Sequence, residues 1–248
     1  MFIRFRIFIF ATLTAVAVIA FKYMFHYLGW EPIEQSSLHN GVLSSATFVI
    51  GFLLSTTIKD YKESERIPAE FAANVEDMYA DAKEIHQSYT DFDLEGLRKH
   101  LLNITQKFNA VVRNNDRGVS DKIRELSAYF AQMEKTGVPP NFVVKLKQQQ
   151  VLLLKHRKRV TYIQRIKFIP SATILSRSIV ALVIGLLILT NVDPFYGSLA
   201  IIGIISFVLV YMMILIEVIS TPFHAAGKTQ DDVSMFLLED AVRFLKAK

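Results

Sequence analysis

Four long apolar stretches organise this chain: residues 7–28, 41–58, 178–192 and 196–220 are rich in Phe, Ile, Leu and Val. A hydrocarbon core roughly 30 Å thick takes about 20 helical residues to cross, so each stretch predicts a membrane-spanning helix. The third is short as counted. Ile174, Leu175 and Ser176 extend it around Arg177, whose long stem can carry its charge to the interface. Between the second and third stretches, residues 69–169 mix charged and apolar positions and read as several helices rather than strands. The fold class expected is therefore all-α: an integral membrane protein with four transmembrane helices and a helical domain outside the bilayer.

The second span does not end where its apolar run ends. Ile58-Lys59-Asp60-Tyr61-Lys62 passes from apolar to charged with no glycine or turn signal, so the helix is expected to run on. Pro68 is expected to kink it or to start a new segment. Asp91 and Asp93, then Asn114, Asn115 and Gly118, then Gly137-Val138-Pro139-Pro140 punctuate the segment between Pro68 and the third span. Ser120 is the expected N-cap of a helix over 123–135, and Gly137 stands where a C-terminal glycine belongs. Pro170 marks the start of the third span. The short turn over 191–197 makes spans three and four a hairpin.

Charge orients these elements. Of the 28 Lys and Arg, 21 lie between Lys59 and Arg177, whereas 29–40 and 193–195 carry none. Basic-poor loops alternating with basic ones follow the positive-inside rule. Arg4 and Arg6 place the N-terminus on the side of the long middle segment, and Lys228, Arg243, Lys246 and Lys248 place the tail there too. The expected layout is transmembrane helices 1 and 2 over 1–58, a cytoplasmic helical domain over 59–169, helices 3 and 4 over 170–221, and a cytoplasmic segment with a short helix over 222–248. The localisation expected is a cell inner membrane, multi-pass, with both termini cytoplasmic. A cleaved signal peptide is the alternative for 1–28, with Arg4 and Arg6 as its basic region and Ala15-Val16-Ala17 as a small-residue site. Apolar sequence continues through Phe21 and Phe25, which favours a retained helix.

A mean hydropathy of +0.31 is high for a water-soluble domain, and 21% charged residues is high for a pure membrane bundle. Absence of cysteine excludes disulfides and thiolate chemistry. The six His residues show no ligand spacing, so no metal and no cofactor is expected. No nucleophile elbow, phosphate loop or dinucleotide fingerprint is present, and no enzyme is expected. The pI near 9.3 is explained by the positive-inside bias, so nucleic acid is not an expected partner.

Placed on a helix, the second span has two faces. Gly41, Ser44, Ser45, Phe48, Phe52, Ser55 and Lys59 share one arc of roughly 100°; Val42, Leu43, Ala46, Val49, Ile50, Leu53 and Leu54 share the opposite one. Small hydroxyls with two Phe one turn apart, ending in a cation, suit a water-filled path with a hydrophobic constriction. Close helix packing explains the small residues equally well. Three further features are candidates. From Lys135 to Arg177 there are ten basic and no acidic residues, which suits anionic lipid, phosphate or permeating anions, or a solvated helix beside an anionic leaflet. Glu217 lies within an apolar stretch, where a carboxylate marks an ion or hydrogen-bond site, here an interfacial one. Asp231, Asp232, Glu239 and Asp240 form an acidic group whose simplest role is helix capping by Asp231 or Asp232, with an ion site as the alternative.

Several of these segments resemble the bestrophin family. Gly51-Phe52 followed by Asp60, Tyr61 and Arg66 is similar to the Gly-Phe pair and charged helix of the bestrophins' second span. Ile169-Pro170 with Leu175 and Arg177 resembles the start of their third. Asp193-Pro194 through Ile205-Ser206-Phe207 to Glu217 resembles their last hairpin, and Thr221-Pro222-Phe223 with Asp231-Asp232-Val233-Ser234 and Leu237-Leu238 resembles their C-terminal motif. The matches cover 41–66 and 169–245. Two positions depart from the pattern: Leu53 stands where bacterial relatives commonly carry Arg, and Ser44 stands at an outer neck position that is more often apolar. The resemblance implies a homopentamer in which five second helices line a narrow neck. It implies passive passage of small monovalent ions, chloride or others. Carried to this chain, the neck is Ser44, Phe48, Phe52 and Ser55, with Lys59 at the inner mouth. Partners implied are four further copies of the chain, membrane lipid and permeant ions. A non-conducting membrane scaffold or sensor, whose helical domain binds a partner, is the alternative.

Overall fold

Residues 6–114, 118–165, 170–223 and 233–247 are described in a computed structural model, and their regular structure is helical apart from two strands of two residues each. They divide into two units, each with its own core.

The first unit comprises residues 6–61 and 170–221. Helix α1 (Arg6–Tyr27) covers the first apolar stretch. It ends at Gly29, whose φ of +68° only glycine adopts without strain, so that Gly29 N–H reaches the His26 carbonyl at 3.1 Å and Trp30 N–H reaches that of Phe25 at 2.9 Å. Helix α2 (Ser37–Ser88) contributes its first half to this unit. A strand β1 (Ile33–Glu34) precedes α2 and pairs in parallel with β2 (Thr190–Asn191), a contact with no signal in the sequence. The hairpin expected after residue 170 is present as α6 (Pro170–Leu189) and α7 (Phe195–Ile219). Helix α6 begins at Pro170, well before the apolar run at 178. A proline is well placed there because the first helical residues have no backbone acceptor to lose.

Close approach holds α1 to α7. Gly203 sits against Ile19, where an added Cβ would come within 2.6 Å of Cδ1. Phe8 meets Phe207 edge-on at 5.5 Å, and His26 stacks on Phe195 at 3.7 Å. Ala46 and Ile50 of α2, Val180 and Val183 of α6, and Leu209 and Ile216 of α7 form the centre of the unit. All four helices are long and apolar enough to cross a membrane.

The second unit holds the rest of α2 with α3 (Leu94–Asn114), α4 (Val119–Lys135), α5 (Pro140–Arg165) and α8 (Phe236–Lys246). Here α2 presents Ile67, Phe71, Val75, Met78, Ala82 and Ile85 at helical spacing, all buried. Phe71 lies flat on Phe108 at 3.7 Å, and Asn74 donates to the Gln149 carbonyl at 2.8 Å. Pro68 does not start a new segment: the helix runs through it. A proline inside a helix costs about 3 kcal/mol, and burial of the neighbouring Ile67, Phe71 and Ala72 offsets that.

The helix ends of this unit are closed in different ways. Asp93 Oδ1 accepts from Gly96 N–H at 2.7 Å and opens α3. Ser120 is not the N-cap of α4. The helix starts at Val119 behind Gly118 with no side-chain cap, because Val119 is fully buried and winding must begin early enough to place it in the core. Gly137, at φ +85°, closes α4 as expected, with N–H of Gly137 on the Glu134 carbonyl and N–H of Val138 on that of Met133.

Candidate functional site: the exposed face of α2

Within the first unit, α2 is sorted by exposure. Ala46, Ile50 and Thr57 are buried against α6 and α7, with Leu43, Leu53 and Leu54 half-buried beside them. Gly41, Ser44, Ser45, Phe48, Phe52, Ser55 and Lys59 are all exposed. Phe48 is 76% exposed and Phe52 65%, as bare as Phe10 on α1 and Tyr196 on α7. The bare arc also takes in Val42, Thr47 and Ile58, so it is wider than the polar positions alone.

The hydroxyls on the two faces are used differently. Thr47, Thr56 and Thr57 donate to the carbonyls of Leu43, Phe52 and Leu53 at 2.9, 3.0 and 2.8 Å. Ser44, Ser45 and Ser55 make no side-chain hydrogen bond to any described residue, so their hydroxyls are free for another partner. Phe52 also borders a small cavity of about 60 Å³, together with Thr56, Thr57, Thr173 and Ser220.

Glu217 stands apart from this face. It accepts a hydrogen bond from Nη2 of Arg177 and forms an ion pair linking α7 to α6, with both side chains about half exposed. Ser220 donates to the Glu217 carbonyl at 2.7 Å. Asp231 and Asp232 lie outside the described residues.

The most deeply held charge is one that sequence reasoning passed over. Lys22, on α1, is fully buried. Its Nζ meets Glu31 Oε1 at 2.6 Å and donates to the Ile188 carbonyl at 3.3 Å and to that of Thr190. His26 Nδ1 lies 2.9 Å from Glu31 Oε2. Burial works to raise the Glu31 pKa, but hydrogen bonds from Lys22 and His26 outweigh it and hold the carboxyl below its ordinary value. The cluster ties the α1–α2 loop to the end of α6, where β1 and β2 pair. Its only sequence signal was a lysine inside an apolar run opposite a loop carrying Glu31 and no basic residue.

No protein-family model and no curated protein matches the sequence. Solved structures do match. A point variant of a bacterial bestrophin homologue from Klebsiella pneumoniae aligns with a TM-score of 0.82 at 13% identity, over 96% of this chain and 94% of that one. A second variant of the same homologue gives 0.81 at 14% identity over 96% of each chain. A crystal structure of a membrane protein variant gives 0.82 at 13% identity over 96% and 97%. With four apolar helices of spanning length and this likeness along nearly its whole length, the chain is a membrane protein built on the bestrophin fold.

Proposed function

We propose that this chain forms a homopentameric ion channel that passes small monovalent ions passively through a central path lined by α2. One observation carries the reading: Ser44, Phe48, Phe52, Ser55 and Lys59 are all left bare by the chain, while on the aliphatic side of the same segment Ala46 and Ile50 are buried and Leu43, Val49, Leu53 and Leu54 are half-buried. One such helix cannot enclose a path, but five copies around an axis can. The free serine hydroxyls replace part of an ion's hydration, the Phe48 and Phe52 rings form the narrow apolar part, and Lys59 sets the charge at the inner mouth. Glu217, paired with Arg177, fastens α6 to α7. A channel needs no catalytic group, and its partners here are further copies of the chain, membrane lipid and the ions.

The proposal places the protein in a bacterial inner membrane, with spans over 1–58 and 170–221, the helical segment 59–169 and the tail 222–248 in the cytoplasm. A tag at Ser36 is then reached from outside the cell, and tags at Gln148 or Lys248 only from within. Labelling of Gln148 from outside overturns the topology.

The deciding experiment measures native mass and ion flux on the same preparations. Five copies of a 28.2 kDa chain are expected in detergent. Phe48→Ala and Phe52→Ala should keep the pentamer and raise flux in liposomes, since a smaller ring widens the path and lowers the dewetting barrier. A stable monomer or dimer removes the reading. A pentamer without flux in any variant favours a non-conducting scaffold or sensor.

A further inference from the structure

Wholly within the second unit, α2 and α5 face each other across an open cleft of about 830 Å³. On α2 the lining residues are Glu63, Arg66, Ile67 and Glu70; on α5 they are Lys155, His156, Lys158, Arg159 and Tyr162. Each set repeats at three- and four-residue intervals and forms one face of its helix. Four permanent cations meet two carboxylates there, so two positive charges are in excess.

The pairing inside the cleft separates frame from free charge. Arg159 crosses to Glu63 at 2.7 Å, and Arg66 holds Glu70 at 2.8 Å on its own helix. His156 Nδ1 lies 3.8 Å from the second Glu70 oxygen. Tyr162 lies under the Arg159 guanidinium at 5.4 Å, which fixes its plane. These contacts hold the walls. Lys155 and Lys158 are exposed and have no carboxylate partner among the described residues. Nε of Arg159 is buried and makes no hydrogen bond, which leaves a donor unused in the cleft wall.

We propose that this cleft binds a phosphate-bearing anion. The two unpaired ammonium groups of Lys155 and Lys158, on walls braced by the paired Arg66 and Arg159, match a ligand with several oxygens and more than one charge, rather than a single halide. A lipid headgroup and a soluble phosphate compound present the same phosphate oxygens, so both share the chemistry this cleft selects. The site does not depend on whether the chain conducts ions.

The test uses the full-length protein in neutral detergent and in phosphatidylcholine nanodiscs. Inorganic pyrophosphate is titrated calorimetrically into the detergent sample at constant ionic strength. In parallel, the unfolding midpoint is compared between discs with and without phosphatidylglycerol. Lys155→Gln with Lys158→Gln removes the free charges; Lys83→Gln with Lys246→Gln removes two exposed lysines elsewhere in the unit as a control. Saturable binding of pyrophosphate, one per chain, identifies a soluble source. A midpoint raised by phosphatidylglycerol without pyrophosphate binding identifies the lipid. In either case each cleft lysine removed should weaken the response about fivefold, with the control unchanged. If the double variant does not fold, Lys158→Gln alone carries the same comparison. No response to either probe, or an equal loss in the control, overturns the site.

Discussion

The two halves of α2 obey opposite rules within one unbroken helix. From Ile67 to Ile85 the apolar stripe is buried and the charged positions face outward, as in any water-facing bundle. From Gly41 to Lys59 the buried side is aliphatic, yet the outward side carries Phe48 and Phe52 beside free serines. Periodicity identifies the faces in both halves. It does not say what covers them, because in the second half the cover is the chain itself and in the first it must be lipid, water or another copy. A large ring left bare is therefore evidence that something other than this chain covers it, whereas a large ring buried is evidence about folding alone.

The strongest way to sharpen this contrast is to truncate one ring in each half. Phe71→Ala removes a fully buried ring stacked on Phe108, and should destabilise the second unit by about 3–5 kcal/mol, read as a lowered unfolding midpoint of the full-length protein. If Phe48→Ala costs as much, the first half is packed like the second and the comparison fails.

Next comes the buried cation. Lys22→Met leaves Glu31 enclosed without its main partner, and breaking such a pair costs on the order of 3 kcal/mol. Loss of thermal stability should be partly recovered by adding Glu31→Gln, because the unpaired charge is then gone. An unaffected midpoint in Lys22→Met would show that Lys22 is not enclosed.

Acid tests the same cluster more gently. The folded pKa of Glu31 lies below its ordinary value of 4.5, so the unfolded state binds the proton more readily. Its contribution to stability is present above pH 4.5 and fades as pH falls through the folded value. Glu31→Gln should flatten that acid limb, measured as midpoint against pH from neutral downward. An unchanged profile would remove the cluster as a source of acid sensitivity.

Smaller effects belong to the exposed groups. Phe48→Ala and Phe52→Ala should each shift stability by less than about 1 kcal/mol, while changing ion flux. Arg177→Gln breaks a half-exposed pair with Glu217, and about 0.2–1 kcal/mol is expected from such a contact. A loss several times larger would place that pair in a dry environment.

Sequence alone determined the elements and their faces. Runs of spanning length, the basic bias, and Gly137 and Pro170 as helix boundaries are local or compositional, and they name four spans and a set of outer helices without any long-range contact. The exposed set from Gly41 to Lys59 was legible for the same reason, since it follows from a 3.6-residue period. Tertiary structure decided what depends on residues far apart in the chain. Whether Pro68 breaks α2 turned on burial of Ile67, Phe71 and Ala72; where α4 starts turned on the enclosure of Val119. The partner of Lys22 came from a loop nine residues away and from carbonyls of α6 and β2, and Arg177 met Glu217 across two helices. A charge inside an apolar run is visible in any sequence. Which opposite charge neutralises it is a matter of distance in space, and only the packed chain supplies that distance.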